Sequence, residues 1–269
     1  MIDKNYFMLC KSTTKEESTI FFGSGNYKAN EKKDGERIIA VKKGKDVFLV
    51  NRRGREKSFI YPEIVEDLKT LDFDFIFDGE VTTYDGLFNT LQHRVNLADK
   101  QKIARAVKEN PVIFYIFDVI SFKGIDLRLK PLKERITYFD KIGFENLKSI
   151  GFLPYGDVEE MLKFAEDNKL EGIVIKDMNG IYEHRRSDFW IKLKLWKEIP
   201  IKAVRYTENP KGIRIESENN WACQVAGKES LKVKKNIDEF GYCLIVCQYL
   251  ELTKSGMPRF ISFKEMKNE

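Results

Sequence analysis

The run KANEKKDGER at residues 28–37 contains Lys32-x-Asp34-Gly35-x-Arg37, a lysine set beside a turn-forming Asp-Gly pair and a second fixed cation. A lysine amine is a nucleophile only when unprotonated, and a neighbouring cation favours the unprotonated form. Further clusters follow in order: Phe77-Asp78-Gly79-Glu80, Phe117-Asp118-Val119, Glu171-Gly172-Ile173-Val174-Ile175-Lys176, and Arg185-Arg186-Ser187 with Trp190-Ile191-Lys192-Leu193-Lys194. Phosphoryl transfer onto an amine needs a neutral nucleophile in line with phosphorus, cations around the leaving group and a divalent metal. Lys32 would be that nucleophile, and Arg37, Arg186, Lys192 and Lys194 could neutralise phosphate charge. Glu80 and Glu171 are carboxylates able to hold Mg²⁺ or a ribose hydroxyl, and Phe117 offers an aromatic face to a base. Each cluster also has a purely structural reading. The first is equally a charged turn between strands. Phe117, in a run as apolar as VIFYIFDVI, reads as core, and Lys192 and Lys194 alternate as on a solvent-facing strand edge. Trp190 reads as packing, and Glu171 as the residue that opens a strand.

The chain positions these groups with short apolar or alternating segments of strand character at 38–43, 46–53, 75–81, 112–120 and 172–177. Helical spacing appears at 61–71, 99–110, 132–142 and 158–168, with Pro62 near a first turn and Ile64, Val65 and Leu68 on one face. Mixed strands and helices out to about Lys197 predict an α+β domain. After Ile199-Pro200 the texture changes to short strands joined by Gly, Asn and Ser turns: IKAVRYTE, GIRIESE, WACQVAG, YCLIVCQYLEL and RFISF. That pattern predicts a small all-β barrel, with the OB-fold as the natural candidate. The expected division is 1–198 and 199–269.

Length of 269 residues, 42% hydrophobic content and 33% charged residues allow a real core and argue against wholesale disorder. The net charge of +5 conceals two basic stretches, ten Lys/Arg against five Asp/Glu in 31–57 and nine against four in 182–214. Converging on one face they would attract a polyanion; apart, they are an ordinary solvated surface. Cys10, Cys223, Cys243 and Cys247 form no CxxC pair, and His93 and His184 stand apart from them, which argues against zinc. Cys243 and Cys247 lie in an apolar run and read as buried thiols. The N-terminal MIDKNYFMLCKST lacks the form of a secretory signal, and no apolar run approaches the roughly 20 residues that span a bilayer. The expectation is a soluble protein in a reducing, cytoplasmic setting, without a membrane partner.

In this order the clusters resemble the covalent nucleotidyltransferases, and among them the ATP-dependent DNA ligases. The ordered motifs of that family are KxDGxR, DGE, FDV or FDL, EGhVhK (h being apolar) and WxKxK, followed by an OB domain. Leu91-Gln92-x-Arg94 after the DGE cluster, and Asp126-Leu127-Arg128-x-x-Pro131-Leu132-x-x-Arg135 after FDV, also resemble the ligase consensus. The resemblance covers most of the chain. It implies a nucleotidyltransferase domain of ATP-grasp-like ligase form ahead of an OB-fold. It further implies an enzyme that uses ATP and Mg²⁺, with Mn²⁺ able to substitute. Such an enzyme seals 5′-phosphate/3′-hydroxyl nicks in duplex DNA through a lysyl-AMP on Lys32 and a DNA-adenylate. By the same resemblance Glu31 contacts adenine, while Arg37 and Arg52, the latter in Asn51-Arg52-Arg53-Gly54, contact the nucleotide. Glu80 serves ribose and metal, Phe117 stacks on the base, and Glu171 is a metal carboxylate. Arg186, Lys192 and Lys194 form the phosphate-binding set. Arg53, Gln92, Arg94, Arg259 and Lys267 are the expected DNA contacts, and a monomer acting on nicked double-stranded DNA is the expected form.

The C-terminal end departs from the family pattern, which is roughly RFPxFxxxRxD. Arg259 and Phe263 match, but Ile261 replaces the proline, Lys267 the second arginine and Glu269 the aspartate. An Arg-to-Lys exchange loses bidentate phosphate binding, which implies an altered or slower charging step. Lys32 lies too near the start for the helical N-terminal DNA-binding domain of larger ligases. The same holds for the upstream domain with which NAD-dependent ligases hold nicotinamide mononucleotide. A minimal two-domain form that grips the duplex through its phosphates is therefore expected. The rivals are an RNA ligase of the same superfamily, a GTP-using mRNA capping enzyme, and a non-catalytic basic nucleic-acid-binding protein.

Overall fold

The computed structural model describes residues 2–253 and 256–267, and the chain divides into two compact units between Leu193 and Lys194. The strands of the first unit are β1 (Leu9–Thr13), β2 (Tyr27–Glu31), β3 (Glu36–Lys43), β4 (Asp46–Asn51), β5 (Phe75–Thr83), β6 (Val112–Phe122), β7 (Ile125–Asp126), β8 (Ile150–Phe152), β9 (Gly172–Asp177) and β10 (Arg186–Lys194). One sheet has the order β4-β3-β5-β6-β7, with β8 added parallel to β6. The other has the order β1-β10-β9-β2, in which β1 runs parallel to β10 and β2 antiparallel to β9.

Strand alternation assigns the faces of the larger sheet. Ile38 and Ala40 of β3 join Phe75, Phe77, Phe114 and Ile116 in a core closed by Ile64, Val65 and Leu68 of the helix Pro62–Lys69. Ile39, between them, points the other way and joins Phe117 and Ile120 in a second core with Phe7, Met8, Tyr182 and Trp190. Burying one large apolar side chain contributes about 1.5–3 kcal/mol, so this second cluster fastens the two sheets at the place where the sequence clusters lie.

The strands expected at 38–43, 46–53, 75–81, 112–120 and 172–177 correspond to β3, β4, β5, β6 and β9, and helices form at Pro62–Lys69, Lys100–Glu109 and Val158–Asp167. The segment 132–142 is not one helix. A single α-turn, Leu132–Arg135, passes into a 3-10 segment, Ile136–Lys141, where β-branched Ile136 and Thr137 follow one another. Patterning missed β1, β2 and the helix Phe88–Val95. The polar β2 is held by its ladder to β9, from Tyr27 opposite Asp177 to Glu31 opposite Ile173.

The second unit holds β11 (Lys197–Asn209), β12 (Gly212–Ser217), β13 (Ala222–Val225), β14 (Cys243–Tyr249), β15 (Glu251–Leu252), β16 (Pro258–Arg259) and β17 (Ser262–Met266). Five of them form an antiparallel sheet in the order β13-β12-β11-β14-β17. Ile199-Pro200, where the composition changes, lies inside β11, with Pro200 opposite Val246. The all-β expectation for this region is corrected by a helix, Gly227–Phe240. Its Ser230, Val233 and Ile237 recur at helical spacing and are buried, the last two in the core of the sheet. Among the described residues no helix is long and apolar enough to cross a membrane.

Candidate active site

β2 ends at Glu31, and the Lys32 N–H donates to the Gly172 carbonyl at 2.9 Å, which places the lysine where β9 begins. Glu171 precedes that strand, and Lys32 Nζ donates to its Oε2 at 2.7 Å. The Asp34-Gly35 turn then passes against β5 so closely that a Cβ on Gly35 would stand 2.1 Å from the Val81 carbonyl oxygen. Only glycine fits there. β3 starts immediately after and pairs Arg37 with Glu80 across the strands. In β5 a Cβ on Gly79 would meet the Phe114 ring and the Tyr115 carbonyl at 2.5 Å, so the DGE glycine sets the spacing of β5 and β6. The clusters converge because their strands begin, end or pair at one place.

The electrostatics correct one sequence expectation. Burial opposes the charge on Lys32, yet Glu171, with Glu80 and Asp34 behind it, raises the lysine pKa above its ordinary value. Carboxylates, and not a neighbouring cation, set the state of this amine. Arg37, the cation of the motif, is committed elsewhere: Nε and Nη2 donate to Asp78 Oδ1 and Oδ2 at 3.0 and 2.6 Å, and Nη1 donates to the Met8 carbonyl at 2.7 Å. Burial works against the Arg37 charge as well, but Asp78 outweighs it. Asp78 is fully buried and also accepts from the Tyr182 hydroxyl at 2.7 Å. Glu80 is the carboxylate of the set with the least compensation. Burial pushes it up to about 8, with Lys32 and Arg37 pulling it down and Glu171 and Asp78 pushing it further up.

Phe117 is 9% exposed and lies edge-on to Trp190 at 5.6 Å between centroids. Its ring is 5.4 Å from the Arg37 guanidinium and 4.4 Å from Lys176 Nζ. Lys176, the last residue of the Glu171–Lys176 cluster, carries no role that the sequence alone implies and is 2% exposed. Its Nζ donates to the Tyr155 hydroxyl oxygen at 3.0 Å, and Tyr155 in turn donates to the Phe117 carbonyl at 2.5 Å. Burial brings the Lys176 pKa down to about 7, against an opposing pull from Asp118. A lysine closing the apolar run GIVIK was the available signal that this cation faces inward.

The remaining expected residues are distributed more widely. Glu31 pairs with Lys33 at 2.7 Å, and Lys33 Nζ lies 4.7 Å from the Tyr115 ring. Arg52 and Arg53 are exposed in the turn after β4, where Asn51 Oδ1 accepts from the Arg53 and Arg55 N–H groups at 3.0 Å each. Arg186 opens β10 and donates to the Cys10 carbonyl, and Lys192 is half-buried on the same strand. Lys194 ends β10 as the first residue of the second unit, with its Nζ 5.2 Å from the Phe260 ring and 5.4 Å from that of Trp196. Gln92 is exposed on the helix Phe88–Val95. Arg94, expected as a DNA contact, is corrected: it is 1% exposed and donates to the Ile60 and Asn110 carbonyls at 3.0 Å and to Glu63 at 2.6 Å. In the second unit Arg259 pairs with Glu251, and Lys267 is exposed with its N–H on the Leu244 carbonyl at 3.0 Å. Glu269 lies outside the described residues. Among the described residues no group of three or more His, Cys, Asp and Glu is gathered for a metal. Glu171, Glu80 and Asp34 are the carboxylates that act on Lys32, Glu171 most strongly.

A family model described as ATP dependent DNA ligase domain matches residues 7–194. The chain is 34% identical over 183 residues to DNA ligase 2 of Thermofilum pendens, a match that covers 63% of this chain and 30% of the relative. It is 29% identical over 206 residues to DNA ligase 1 of Methanosarcina barkeri, covering 68% and 36%. With the probable DNA ligase of Aquifex aeolicus it shares 34% over 187 residues, covering 63% and 31%. The chain spans about a third of the length of these curated relatives. Among solved structures, one of Lig E DNA ligases, described as DNA binding with a minimal scaffold, superposes with a TM-score of 0.71 at 17% identity, covering 99% of this chain and 100% of that one. A mycobacterial DNA ligase D complexed with ATP and MES gives 0.60 at 18%, covering 100% and 97%. At such identities the likeness is one of fold, a mixed α/β arrangement shared with nucleotidyltransferase-type ligases.

Proposed function

The chain belongs to the ATP-dependent DNA ligase domain family, and from that premise we propose that it seals nicks in duplex DNA with ATP as its energy-supplying substrate. The observation that carries this reading is Lys32 Nζ held 2.7 Å from Glu171 where β2 meets β9. Lys32, after losing a proton, attacks the α-phosphorus of ATP. An N–P bond forms, the α–β bridging P–O bond breaks, and pyrophosphate leaves. An oxygen of the 5′-phosphate at a nick then displaces Lys32 from that phosphorus, giving a DNA-adenylate. The adjacent 3′-hydroxyl attacks the 5′-phosphorus, a phosphodiester forms, and AMP departs.

In this reading Glu31 and Phe117 receive the adenine and Arg52 the nucleotide, while Arg186, Lys192 and Lys194 answer phosphate charge. Arg37 acts from a fixed position, since Asp78 holds its Nε and Nη2 and the Met8 carbonyl holds its Nη1. Mg²⁺ is usually bound by one or two carboxylates together with substrate phosphates, which the pair Glu80 and Glu171 fits; Mn²⁺ accepts the same oxygen donors. A bound Mg²⁺ would neutralise charge and polarise phosphoryl oxygens. We assign the first unit to the nucleotidyltransferase domain and the second to an OB-fold; the boundary expected at 198/199 falls inside β11, five residues beyond the division between the units. The antiparallel sheet of the second unit, with the helix Gly227–Phe240 against it, supports the OB-fold assignment.

Intact mass after incubation with ATP and Mg²⁺ tests the proposal. Wild type gains one adenylyl group and Lys32→Ala gains none; nicked DNA then discharges the adduct. No gain by wild type, or a gain by Lys32→Ala, overturns the mechanism, and discharge by single-stranded RNA in place of nicked DNA overturns the substrate.

A further inference from the structure

Cys223 of β13 and Cys247 of β14 face one another inside the second unit, their Sγ atoms 3.6 Å apart. The two strands are not neighbours, because β12 and β11 lie between them in the sheet. The thiols therefore meet across the interior. Cys223 is 3% exposed and Cys247 is fully buried, among Ile213, Ile215, Val225 and Ile245. No step of the nucleotide chemistry uses them. The two sulfurs are in van der Waals contact, and a disulfide needs them to close to about 2.05 Å. The other cysteines are differently placed. Cys243 has its sulfur toward Asn236 of the helix, and Cys10 belongs to the first unit.

We propose that Cys223 and Cys247 are a disulfide-forming pair that staples β13 to β14 through the core of the second unit. The two positions are 24 residues apart, and the loop they close contains the helix Gly227–Phe240. The oxidant is a small-molecule disulfide such as oxidised glutathione. The Cys223 thiolate attacks one of its sulfurs, forming a mixed disulfide and releasing one glutathione. Cys247, having given up its proton, then attacks Cys223 Sγ and expels the second. The two protein thiols lose two electrons and two protons, and the oxidant becomes two thiols. Cys223 reacts first because β13 ends the sheet and opens more readily than β14, which is paired on both sides. The hydrogen bond with Cys247, together with Arg214, lowers the Cys223 pKa and leaves that of Cys247 raised.

The test uses the full chain refolded or incubated with oxidised glutathione. The intact mass falls by two hydrogens, non-reducing peptide mapping finds Cys223 joined to Cys247, and the thermal midpoint of the second unit rises by roughly 5–15 °C. Dithiothreitol reverses all three changes. Cys243→Ala retains them, whereas Cys223→Ser and Cys247→Ser each lose them. Should a serine variant fail to fold, alkylation of the oxidised wild type in denaturant decides the matter: Cys10 and Cys243 take the label and the other two do not. Four labelled cysteines after oxidation, a bond mapped to Cys243, or an unchanged or lowered midpoint each overturns the proposal.

Discussion

Lys32 and Glu80 are displaced in the same direction for opposite reasons. The lysine is raised because carboxylates outweigh its burial, and the carboxyl is pushed up to about 8 because burial outweighs the nearby cations. For Glu80 the ordinary value is 4.5, so between 4.5 and about 8 the folded chain keeps a proton that the unfolded chain has released. Its contribution to stability is therefore complete below 4.5 and is lost as pH rises through about 8. Without divalent cation, the thermal midpoint of wild type should decline across that window more steeply than that of Glu80→Gln. Identical slopes for the two proteins would remove Glu80 from this role. A proton and a cation also compete for the same carboxylate oxygens. The Mg²⁺ concentration needed for half-maximal adduct formation should accordingly fall as pH rises toward and past about 8, and a requirement independent of pH would count against Glu80 as a metal ligand.

The segment Asp126 to Arg135, which in sequence resembles a ligase consensus, is a brace for β6. Asp126 and Arg128 pair with each other at 2.6 Å, Pro131 precedes the helical turn Leu132–Arg135, and Leu132 is buried. Arg135 is fully buried and donates to both oxygens of Asp118 at 2.8 and 2.7 Å, while its Nη1 reaches the Lys130 and Gly180 carbonyls at 2.6 and 3.0 Å. One guanidinium thus ties β6, beside Phe117, to the turn that follows β9. Arg135→Met would leave Asp118 buried without its counter-charge, at a cost of about 3–5 kcal/mol. Pairing it with Asp118→Leu should recover much of that loss in urea unfolding. A double variant as unstable as the sum of the two singles would show that the residues do not act as a pair. The order of the clusters and the alternation of β3 to β6 and β9 were legible, because residue type and period are local properties. Depth was not. Arg94 reads as a DNA contact, and Lys176 has no partner in the sequence around it, until Glu63, 31 positions from Arg94, and Tyr155, 21 positions from Lys176, supply partners inside. The polar β2 likewise owes its extended form to β9, and the helix Gly227–Phe240 was hidden by short-strand texture on both sides.

The chain carries 47 Lys and Arg against 42 Asp and Glu, but that excess is a poor count of what can meet a DNA backbone. Arg37, Arg94 and Arg135 are spent on internal carboxylates, and Lys176 is enclosed by Phe117, Tyr155 and Trp190. Arg53, by contrast, is exposed on a turn whose backbone Asn51 fixes. Binding that rests on phosphate contacts releases counterions, and the logarithm of affinity falls with the logarithm of salt by about 0.9 for each phosphate neutralised. Affinity for nicked duplex should therefore weaken steeply with salt, and Arg53→Ala should lower the slope by about one without changing adduct formation from ATP. Arg94→Met makes the contrasting case, because its side chain never reaches solvent. It should lower the thermal midpoint and leave the slope of the folded protein as it was. A slope that responds to Arg94 and not to Arg53 would place the DNA on a different face from the one the Asn51–Arg55 turn presents.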